Sequence, residues 1–447
     1  MLYPFSSNNS YAGGGVEVLD SKALTKIQSI ILIVVVVVAG IGGIVAYIMD
    51  SGEGESSDTI KIGVCADVDM TYGRDTLEGA VLAAEQINAE GGILGRQVEI
   101  ISEDNDAATG DASKVSTAMN KLISVHDVDF IVGDASFNNF LMQEISAEHK
   151  IIYIHTGFTS HLLGENVLDD YEKYKYWFTN WYNDTASIDW SLQSIVTLGD
   201  YTGFKNVGIL ADDLGWTKAH LDAFNDYLPE VYGFNIVYQG LIKPSVMDFT
   251  SYLTAMKEAN VEILVPMLAA QNSIPFIKDW HDLELPFVVC GLNLMSQDSQ
   301  YWESTDGKCV TESTISSSFV AGYPITDKTI PVREAFVDRW GHIPTWVGGA
   351  VYDAIMFILP DAIERAGTIE TEAVIKALEE TDLYGAGGRV VYTSSHNLMW
   401  GEGYRSLLVF QWQEDGARVP VYPRYIMEEA GATYTFPDWP GPWDNIS

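Results

Sequence analysis

The chain has 447 residues, 47% of them hydrophobic and 19% charged, so it is long enough for two sizeable lobes and too apolar for a disordered chain. Its formal net charge of −37 argues against nucleic acid as a partner, because a polyanion would be repelled. The three cysteines, Cys65, Cys290 and Cys309, form no C-x-x-C pair and so give no support to zinc or thioredoxin-like sites. In one interpretation Cys290 and Cys309 form a disulfide; in the other, all three are small buried hydrophobic residues.

The first predicted element is a membrane span. Residues 27–49 form a run of 23 uncharged residues, which is long enough to cross a bilayer. Lys22 and Lys26 precede the run and acidic residues follow it, so the positive-inside rule places residues 1–26 in the cytoplasm and the body outside. A cleaved signal peptide is the disfavoured alternative, because the apolar run continues beyond a weak small-residue cleavage site. Residues 50–59 are rich in Gly, Ser and acidic residues and are predicted to form a flexible linker.

The stretch Lys61–Asp106 is predicted to form a strand, a helix and a second strand. Lys61–Ala66 is a short apolar run, and apolar residues recur at the helical period after the turn Asp67–Gly73. Gly91-Gly92 ends the helix, because glycine accepts the left-handed conformation without a clash, and Val98–Ile101 follows as a strand. This β-α-β unit predicts a parallel sheet with ligands beyond the carboxyl ends of its strands. It contains no G-x-G-x-x-G motif, so the turn is not predicted to hold a dinucleotide.

Strands and helices alternate along most of the remaining chain, which indicates an α/β protein with two Rossmann-like lobes and parallel sheets. The alternation lapses across Leu163–Asn183, a stretch rich in Tyr and Trp that is interpreted as the crossing into the second lobe. Ser316–Ala321 is predicted to be a strand, and Pro420–Ser447 an irregular aromatic tail on the surface.

Catalytic and metal-binding motifs are missing from the sequence. It carries no nucleophile elbow, H-E-x-x-H pair, P-loop or EF-hand loop, so neither an enzyme nor a cofactor or metal site is predicted. His155 and His161 are close together, but their spacing fits no common metal site and both are interpreted as loop residues.

Polar and aromatic residues follow several predicted strands, and in a two-lobed α/β protein such turns line the cleft between the lobes. Hydroxyls and helix N-terminal N–H groups suit a ligand carboxylate, while a protein carboxylate suits an ammonium group. Each residue alone is explained as well by a helix cap or a turn, and only their convergence favours a ligand site. The candidate ligand-binding residues are Tyr72, Ser136, Thr156, Gly157, Thr159, Trp216, Asn293 and Asp298.

Several motifs carry a family resemblance. Tyr72-Gly73 precedes the long stretch GAVLAAEQINAEGGILGRQVEI, and weaker matches are VDFIVGDAS, YWFTNWYNDTA, VGILADDLGWTKAHLDAF and the YDAI helix. On these motifs the chain, from about Thr59 to Tyr422, resembles the substrate-binding proteins of branched-chain amino acid ABC transporters, which are periplasmic binding proteins of the leucine/isoleucine/valine type.

The resemblance implies two lobes that are joined by three crossovers and close on a ligand by hinge bending. On this plan residues 60–180 and 322–385 form lobe 1, residues 181–321 and 386–425 form lobe 2, and residues 426–447 are an aromatic tail.

The resemblance also implies roles for the candidate residues. Tyr72 matches the cleft tyrosine of the family's Y-G motif, and Trp216 replaces a second one. Ser136 and the loop Thr156–Thr159, which includes Gly157, match the groups that contact a ligand carboxylate. Asp298 matches the acidic residue that pairs with the ligand amine.

The chain departs from the family at three positions. Phe137 follows Ser136 where relatives often have a second serine, Ala269-Ala270 replaces a usual Gly-Tyr, and Asn293 stands where relatives often carry Gly or Asp. The solute is therefore left open among an amino acid, a peptide fragment, an amide and urea.

The expected function is capture of a small polar solute outside the cytoplasm by a single-pass membrane protein that delivers it to the permease and ATPase subunits of an ABC transporter. A ligand sensor of the amide-receptor type is the first alternative. An α/β hydrolase or dehydrogenase is the second, and the missing nucleophile elbow and dinucleotide loop count against it.

Overall fold

The structure, a computed structural model, describes residues 59–106, 111–133, 138–269, 271–298 and 300–446. These residues form two α/β lobes, each built on a sheet of mostly parallel strands with helices packed against it. The predicted membrane span at 27–49, the segment before it and residues 50–58 of the linker lie outside the described residues.

The first lobe contains a five-stranded parallel sheet. Its strands are β1 Ile60–Ala66, β2 Val98–Asp104, β3 Phe130–Gly133, β4 Ile152–His155 and β5 Trp177–Thr179. The helices along this part of the chain are α1 Thr71–Ala89, α2 Ala112–Ser124, α3 Asn139–His149, α4 Leu162–Asp169 and α5 Tyr171–Tyr174. The strand order is β2-β1-β3-β4-β5. Ile62 and Val64 pack in the apolar cluster on one face while Cys65 packs on the other, because successive side chains of a strand point to opposite faces.

The second lobe contains a seven-stranded sheet. Its strands are β6 Asn206–Asp212, β7 Asn235–Ile242, β8 Ile263–Leu268, β9 Val288–Asn293, β10 Ser313–Ser316 and, later in the chain, β13 Leu408–Trp412 and β14 Arg418–Tyr422. Its helices are α6 Asp184–Thr202, α7 Gly215–Glu230, α8 Thr250–Glu258, α9 Ser273–Asp282 and α10 Tyr301–Ser304, with a 3₁₀ turn at Leu294–Gln297. The strand order is β14-β13-β10-β9-β8-β6-β7. Among the described strands of this sheet, β13 pairs antiparallel with both β10 and β14, and the other neighbours pair parallel.

Between β10 and β13 the chain returns to the first lobe. This part contains α11 Ser318–Ala321, α12 Thr329–Trp340, α13 Trp346–Asp353, a π-helical turn Ala354–Ile358, α14 Leu359–Ala366, α15 Thr371–Glu379 and the hairpin strands β11 Asp382–Gly385 and β12 Gly388–Val391. After β14 come α16 Arg424–Glu429 and a 3₁₀ turn Pro442–Asn445. The chain thus passes between the lobes three times, after β5, after β10 and before β13.

The continuous helical run Trp346–Ala366 is, among the described residues, long and apolar enough to cross a membrane. Most of it is buried inside the protein, where Val351, Ile355 and Ile358 pack in the core beside α1. Its apolar character is therefore accounted for by the core of the first lobe.

Two predictions of secondary structure need correction. Leu163–Asn183 is not a long crossing, because it contains most of α4, all of α5 and the edge strand β5. Ser318–Ala321 is helical, because the Ser317 hydroxyl caps it by accepting a hydrogen bond from the Val320 amide, at 3.3 Å. Gly322, with a φ of 72°, then ends the turn.

The aromatic tail is not confined to the surface. Trp439 and Trp443 are each only 6% exposed and belong to the core of the second lobe. The Trp439 indole donates a hydrogen bond to the Leu285 carbonyl, at 3.0 Å, which ties the tail to the turn before β9. Buried indoles usually have such a partner, and a surface tail would not need one.

Residues 386–425 were expected to belong wholly to the second lobe. In the structure Val390, Tyr392 and Leu398 pack in the apolar core of the first lobe, and the chain joins the second sheet only at Leu408. The other lobe limits stay predictions.

The three cysteines are buried free thiols. Burial raises the pKa of Cys290 and of Cys309 to about 12 each. The structure therefore agrees with the interpretation of these residues as small buried hydrophobic side chains.

Candidate functional site

The candidate site is built on the carboxyl ends of parallel strands in both lobes. Thr156 follows β4, Trp216 comes shortly after β6, and Asn293 is the last residue of β9. In open α/β sheets this is the edge at which ligands bind.

Two hydroxyls beyond β4 have no partner among the described residues. Thr156 is 0% exposed and Thr159 is 1% exposed. The Oγ1 atom of each makes no hydrogen bond to any residue that the structure describes. Leaving a buried hydroxyl unpaired costs about 1–3 kcal/mol, so such a group is usually matched by water or a ligand. These hydroxyls can donate to an acceptor such as a carboxylate.

The loop that carries these hydroxyls is held from two sides. On one side, the Asn139 side chain donates to the Phe158 carbonyl, at 2.9 Å, from the start of α3. On the other, the Asp184 amide at the start of α6 donates to the Thr159 carbonyl, at 2.9 Å. Asp184 also accepts from the Ser160 hydroxyl, at 3.2 Å. The loop is therefore fixed between the two lobes at the first crossing.

His155 is the last residue of β4, not a loop residue as predicted. It is fully buried and stacks on Trp177 with ring centroids 5.4 Å apart. Burial lowers the pKa of His155 to about 3, so its ring is neutral at physiological pH. The aromatic stack provides an apolar floor directly before the Thr156 loop.

Tyr72 lies half-buried in the first turn of α1. The neighbouring Gly73 allows the helix to start against the strand turn, because a Cβ at this position would lie 1.8 Å from the Asp67 carbonyl oxygen. The Tyr72 carbonyl accepts from the Thr76 hydroxyl, at 2.8 Å, within the same helix. Ser136 belongs to residues 134–137, which lie outside the described residues.

Trp216 lies half-buried in the first turn of α7, in the second lobe. Its ring meets His220 edge-on, with centroids 5.9 Å apart. The His220 ring contacts the Ser187 hydroxyl, at 3.0 Å, and burial lowers the pKa of His220 to about 4. A neutral, fixed histidine therefore orients the tryptophan.

Asn293 lies in a buried polar network instead of facing an open cleft. Its Nδ2 donates to the Tyr301 hydroxyl, at 2.8 Å, and to the Glu312 carboxylate, at 2.7 Å. Tyr301 also donates to Glu312, at 2.9 Å. Burial raises the pKa of Glu312 to about 7, and the two hydrogen bonds act in the opposite direction. Sequence reasoning missed Glu312, because no motif marks it and its partner lies 19 positions away.

Asp298 is half-buried in the turn before α10. Its carboxylate accepts from the Gln300 amide, at 2.7 Å, which is a common turn contact for Asp. Asp298 also lies near Arg418. Burial lowers the pKa of the Arg418 guanidinium to about 10, and the negative charge of Asp298 acts in the opposite direction. A ligand ammonium at Asp298 would therefore meet a carboxylate that already accepts one backbone hydrogen bond.

Asp212 and Asn272 form a second buried polar pair at this edge. Asp212 accepts from the Ala269 amide, at 2.8 Å, and from the Asn272 side chain, at 3.0 Å. These bonds tie the end of β6 to the turn before α9. The Asn272 Oδ1 atom has no partner among the described residues.

Comparison with known proteins identifies the family. A family model described as periplasmic binding protein matches residues 59–417. The chain belongs to the periplasmic binding protein family. The Leu/Ile/Val-binding protein BraC3 of Rhizobium johnstonii is 24% identical over 370 residues, which cover 79% of this chain and 92% of that protein. The resemblance to branched-chain amino acid binding proteins drawn from the sequence is thereby confirmed.

Solved structures share the fold at low identity. The binding protein LivJ of Streptococcus pneumoniae, in complex with isoleucine, has a TM-score of 0.66 and 19% identity, and the match covers 81% of this chain and 100% of that one. A solute-binding protein of R. palustris in complex with benzoate has a TM-score of 0.64 and 14% identity, with coverage of 81% and 96%. The family model and the curated Leu/Ile/Val-binding relative place this chain in the coarse class of solute-binding proteins, and the solved structures show the same fold.

Proposed function

We propose that the protein captures an amino acid or a related small polar solute between its two lobes, outside the cytoplasm, and delivers it to an ABC permease. In this proposal residues 27–49 anchor the chain in the membrane as a single span, and the permease and its ATPase subunits are its partners. The protein performs no covalent chemistry on the solute.

The observation that carries the proposal is the pair of buried hydroxyls of Thr156 and Thr159, which have no partner among the described residues. They lie on one short loop at the carboxyl end of β4, and hydrogen bonds from both lobes hold that loop. A solute carboxylate would satisfy both hydroxyls. Hydrogen bonds to a charged group contribute about 1.5–3 kcal/mol each, which is enough to select an anionic group over a neutral one.

The ligands of the related structures support the same chemistry. Isoleucine and benzoate, bound by two proteins of this fold, differ in the side group but both carry a carboxylate. The carboxylate is the shared element, and the first lobe of this chain offers the hydroxyls for it.

The opposite wall is proposed to contain Trp216 and Asp298. Trp216 would cover the apolar part of the solute, and Asp298 would accept from its ammonium group. Removing the carboxylate in Asp298→Ala would then weaken binding of a zwitterion, because the ammonium would lose its partner.

A second candidate, an amide or urea sensor of the same fold, is favoured by one observation. The Asp298 carboxylate already accepts from the Gln300 amide and lies near Arg418. A ligand without an ammonium group would leave these existing interactions of Asp298 unchanged. In that case Asp298→Ala would leave the affinity unchanged.

A thermal-shift screen of the full chain against leucine, isoleucine, valine, benzoate, acetamide and urea separates the candidates. A rise in the melting midpoint with a carboxylate-bearing solute supports the proposal. A rise with acetamide or urea alone favours the amide-type ligand, and no rise with any of these solutes contradicts both.

A further inference from the structure

A carboxylate–imidazole cluster lies on the first lobe, where α1 meets the loop before α13. Asp75 and Glu78 are three positions apart on α1 and so share one face of the helix. His342 comes from the loop between α12 and α13. One carboxylate oxygen of each acid and one ring nitrogen of the histidine all lie within 4.8 Å of one another.

Asp75 is the buried member of this cluster. It is 0% exposed, and its Oδ2 accepts from the Thr345 amide, at 2.7 Å. Its Oδ1 has no hydrogen-bond partner among the described residues. Burial raises the pKa of Asp75, because the carboxylate loses its water and the contact with Thr345 replaces that water only in part. The carboxylate is thus held in place from one side and unsatisfied on the other.

His342 is oriented toward the acids. Its Nδ1 lies 3.1 Å from the Ile343 carbonyl, and its Nε2 lies 3.0 Å from a Glu78 oxygen. When Nδ1–H donates to the carbonyl, the Nε2 lone pair points at Glu78. A backbone carbonyl on the other ring nitrogen is the usual support of a metal-binding histidine.

The charge balance of the cluster favours a bound cation. Two carboxylates are opposed by His342 and by Arg74, whose Nε lies 4.0 Å from Glu78 and whose side chain is 51% exposed. An exposed guanidinium at this distance contributes little. Burial raises the pKa of Glu78 as well as that of Asp75, and Asp75 adds to this rise.

We propose that Asp75, Glu78 and His342 bind a divalent first-row transition-metal cation. Such a cation lies about 2.0–2.2 Å from nitrogen and oxygen ligands, so its ligand atoms are at most about 4.4 Å apart, and a small closing movement brings the cluster to that size. The imidazole ligand favours Zn²⁺ and similar first-row ions over Mg²⁺, Ca²⁺ and Mn²⁺. The bound ion joins α1, which carries Tyr72 at its start, to the loop before α13. This site is separate from the solute proposal and does not depend on it.

The test uses the full chain after treatment with a chelator. Titration with Zn²⁺ followed by calorimetry, and with Co²⁺ followed by visible absorption, is expected to give one saturable site. Glu78→Gln and His342→Gln are expected to weaken binding by about tenfold or more, because each replaces a carboxylate or imidazole ligand with a neutral amide. His149→Gln, at an exposed histidine at the end of α3, is the matched control and is expected to bind as the parent does.

A thermal measurement separates the metal from a simple ion pair. With a metal site, Zn²⁺ raises the melting midpoint of the parent and of His149→Gln but not that of Glu78→Gln. Saturable binding that is equal in the parent, Glu78→Gln and His342→Gln would overturn the proposal. So would the lack of any saturable binding by the parent chain. Asp75→Asn is avoided, since it disturbs the contact with Thr345.

Discussion

The Arg405 guanidinium is paired with the Asp353 carboxylate deep inside the protein, with side chains that are 1% and 0% exposed. Asp353 ends α13 of the first lobe, and Arg405 lies on the third crossing. Arg405 also donates to the Asn180 side chain on the first crossing, at 2.9 Å. The Asp353 carboxylate accepts from the Ala386 amide, at 2.6 Å. One buried ion pair thus joins two crossings to a core helix at the hinge between the lobes.

Asp353→Asn should destabilise the protein by about 3–5 kcal/mol, because it leaves the Arg405 guanidinium buried without a counter-charge. Urea unfolding followed by tryptophan fluorescence measures the change in the free energy of unfolding. The exposed pair Arg424–Glu428, at 2.8 Å, provides a control. Glu428→Gln should cost less than about 1 kcal/mol. If both variants lost the same stability, the hinge pair would not have the role assigned to it.

Glu312 should make the stability fall as pH rises. Its pKa is about 7 in the folded protein, against 4.5 for an ordinary glutamate side chain in an unfolded chain, so the folded state holds the proton more tightly. The contribution of Glu312 to the free energy of unfolding is full below pH 4.5 and is lost as pH rises through 7. The loss is on the order of 3 kcal/mol. Glu312→Gln keeps an acceptor for Asn293 and should flatten this part of the profile.

The measurement for Glu312 is the free energy of urea unfolding at several values from about pH 5 to about pH 8, for the parent and for Glu312→Gln. Other groups contribute equally to both proteins, so the difference between the two profiles isolates this carboxyl. A constant difference across the range would mean that Glu312 does not titrate there.

Thr156→Val should separate ligand binding from folding. Valine has nearly the shape of threonine but lacks the hydroxyl, so without solute the variant should be as stable as the parent or slightly more stable. Affinity for a carboxylate-bearing solute should fall about 10–100-fold, the equivalent of one hydrogen bond to a charged group. Thr254→Val, at an exposed position of α8, is the control and should leave affinity unchanged.

The opposite pattern for Thr156→Val, lower stability with full affinity, would assign its hydroxyl to a structural contact. Melting midpoints measure the stability of Thr156→Val and Thr254→Val, and calorimetry measures their affinity for the solute.

The three thiols should be inert in the folded protein. Cys65, Cys290 and Cys309 are all buried, and burial raises the pKa of Cys290 and Cys309 to about 12. A thiol reagent at about pH 8 should therefore label none of them in the native state, since all three are buried and Cys290 and Cys309 also lack the thiolate form. In denaturant without reductant all three should react. Labelling of only one would indicate a Cys290–Cys309 disulfide.

The sequence predicts local structure well where the apolar period is strong. The opening β-α-β unit matches the predicted elements closely, because its own side chains determine the period. The end of β10 is different, since a single hydroxyl at Ser317 turns the chain into a helix there. Tertiary contacts also determine the position of the tail, since Trp439 is buried against Leu285.

The candidate site was predictable as a set of strand ends but not as a set of contacts. The loop at Thr156 could be located from the strand before it. The pairing of His342 with Glu78 could not, because 264 positions separate them and no motif links them. Nor could the network around Asn293 and Glu312, because whether an Asn at a strand end faces a cleft or the core depends on neighbours across the sheet.

The most direct test of the proposed function is calorimetric titration of leucine, isoleucine, valine and benzoate into the full chain. The proposal predicts saturable one-to-one binding of at least one of them, and a loss of about tenfold or more in affinity in Thr156→Val. Saturable binding with the same affinity in Thr156→Val, or no binding of any of these four carboxylate-bearing solutes by the parent chain, would contradict it.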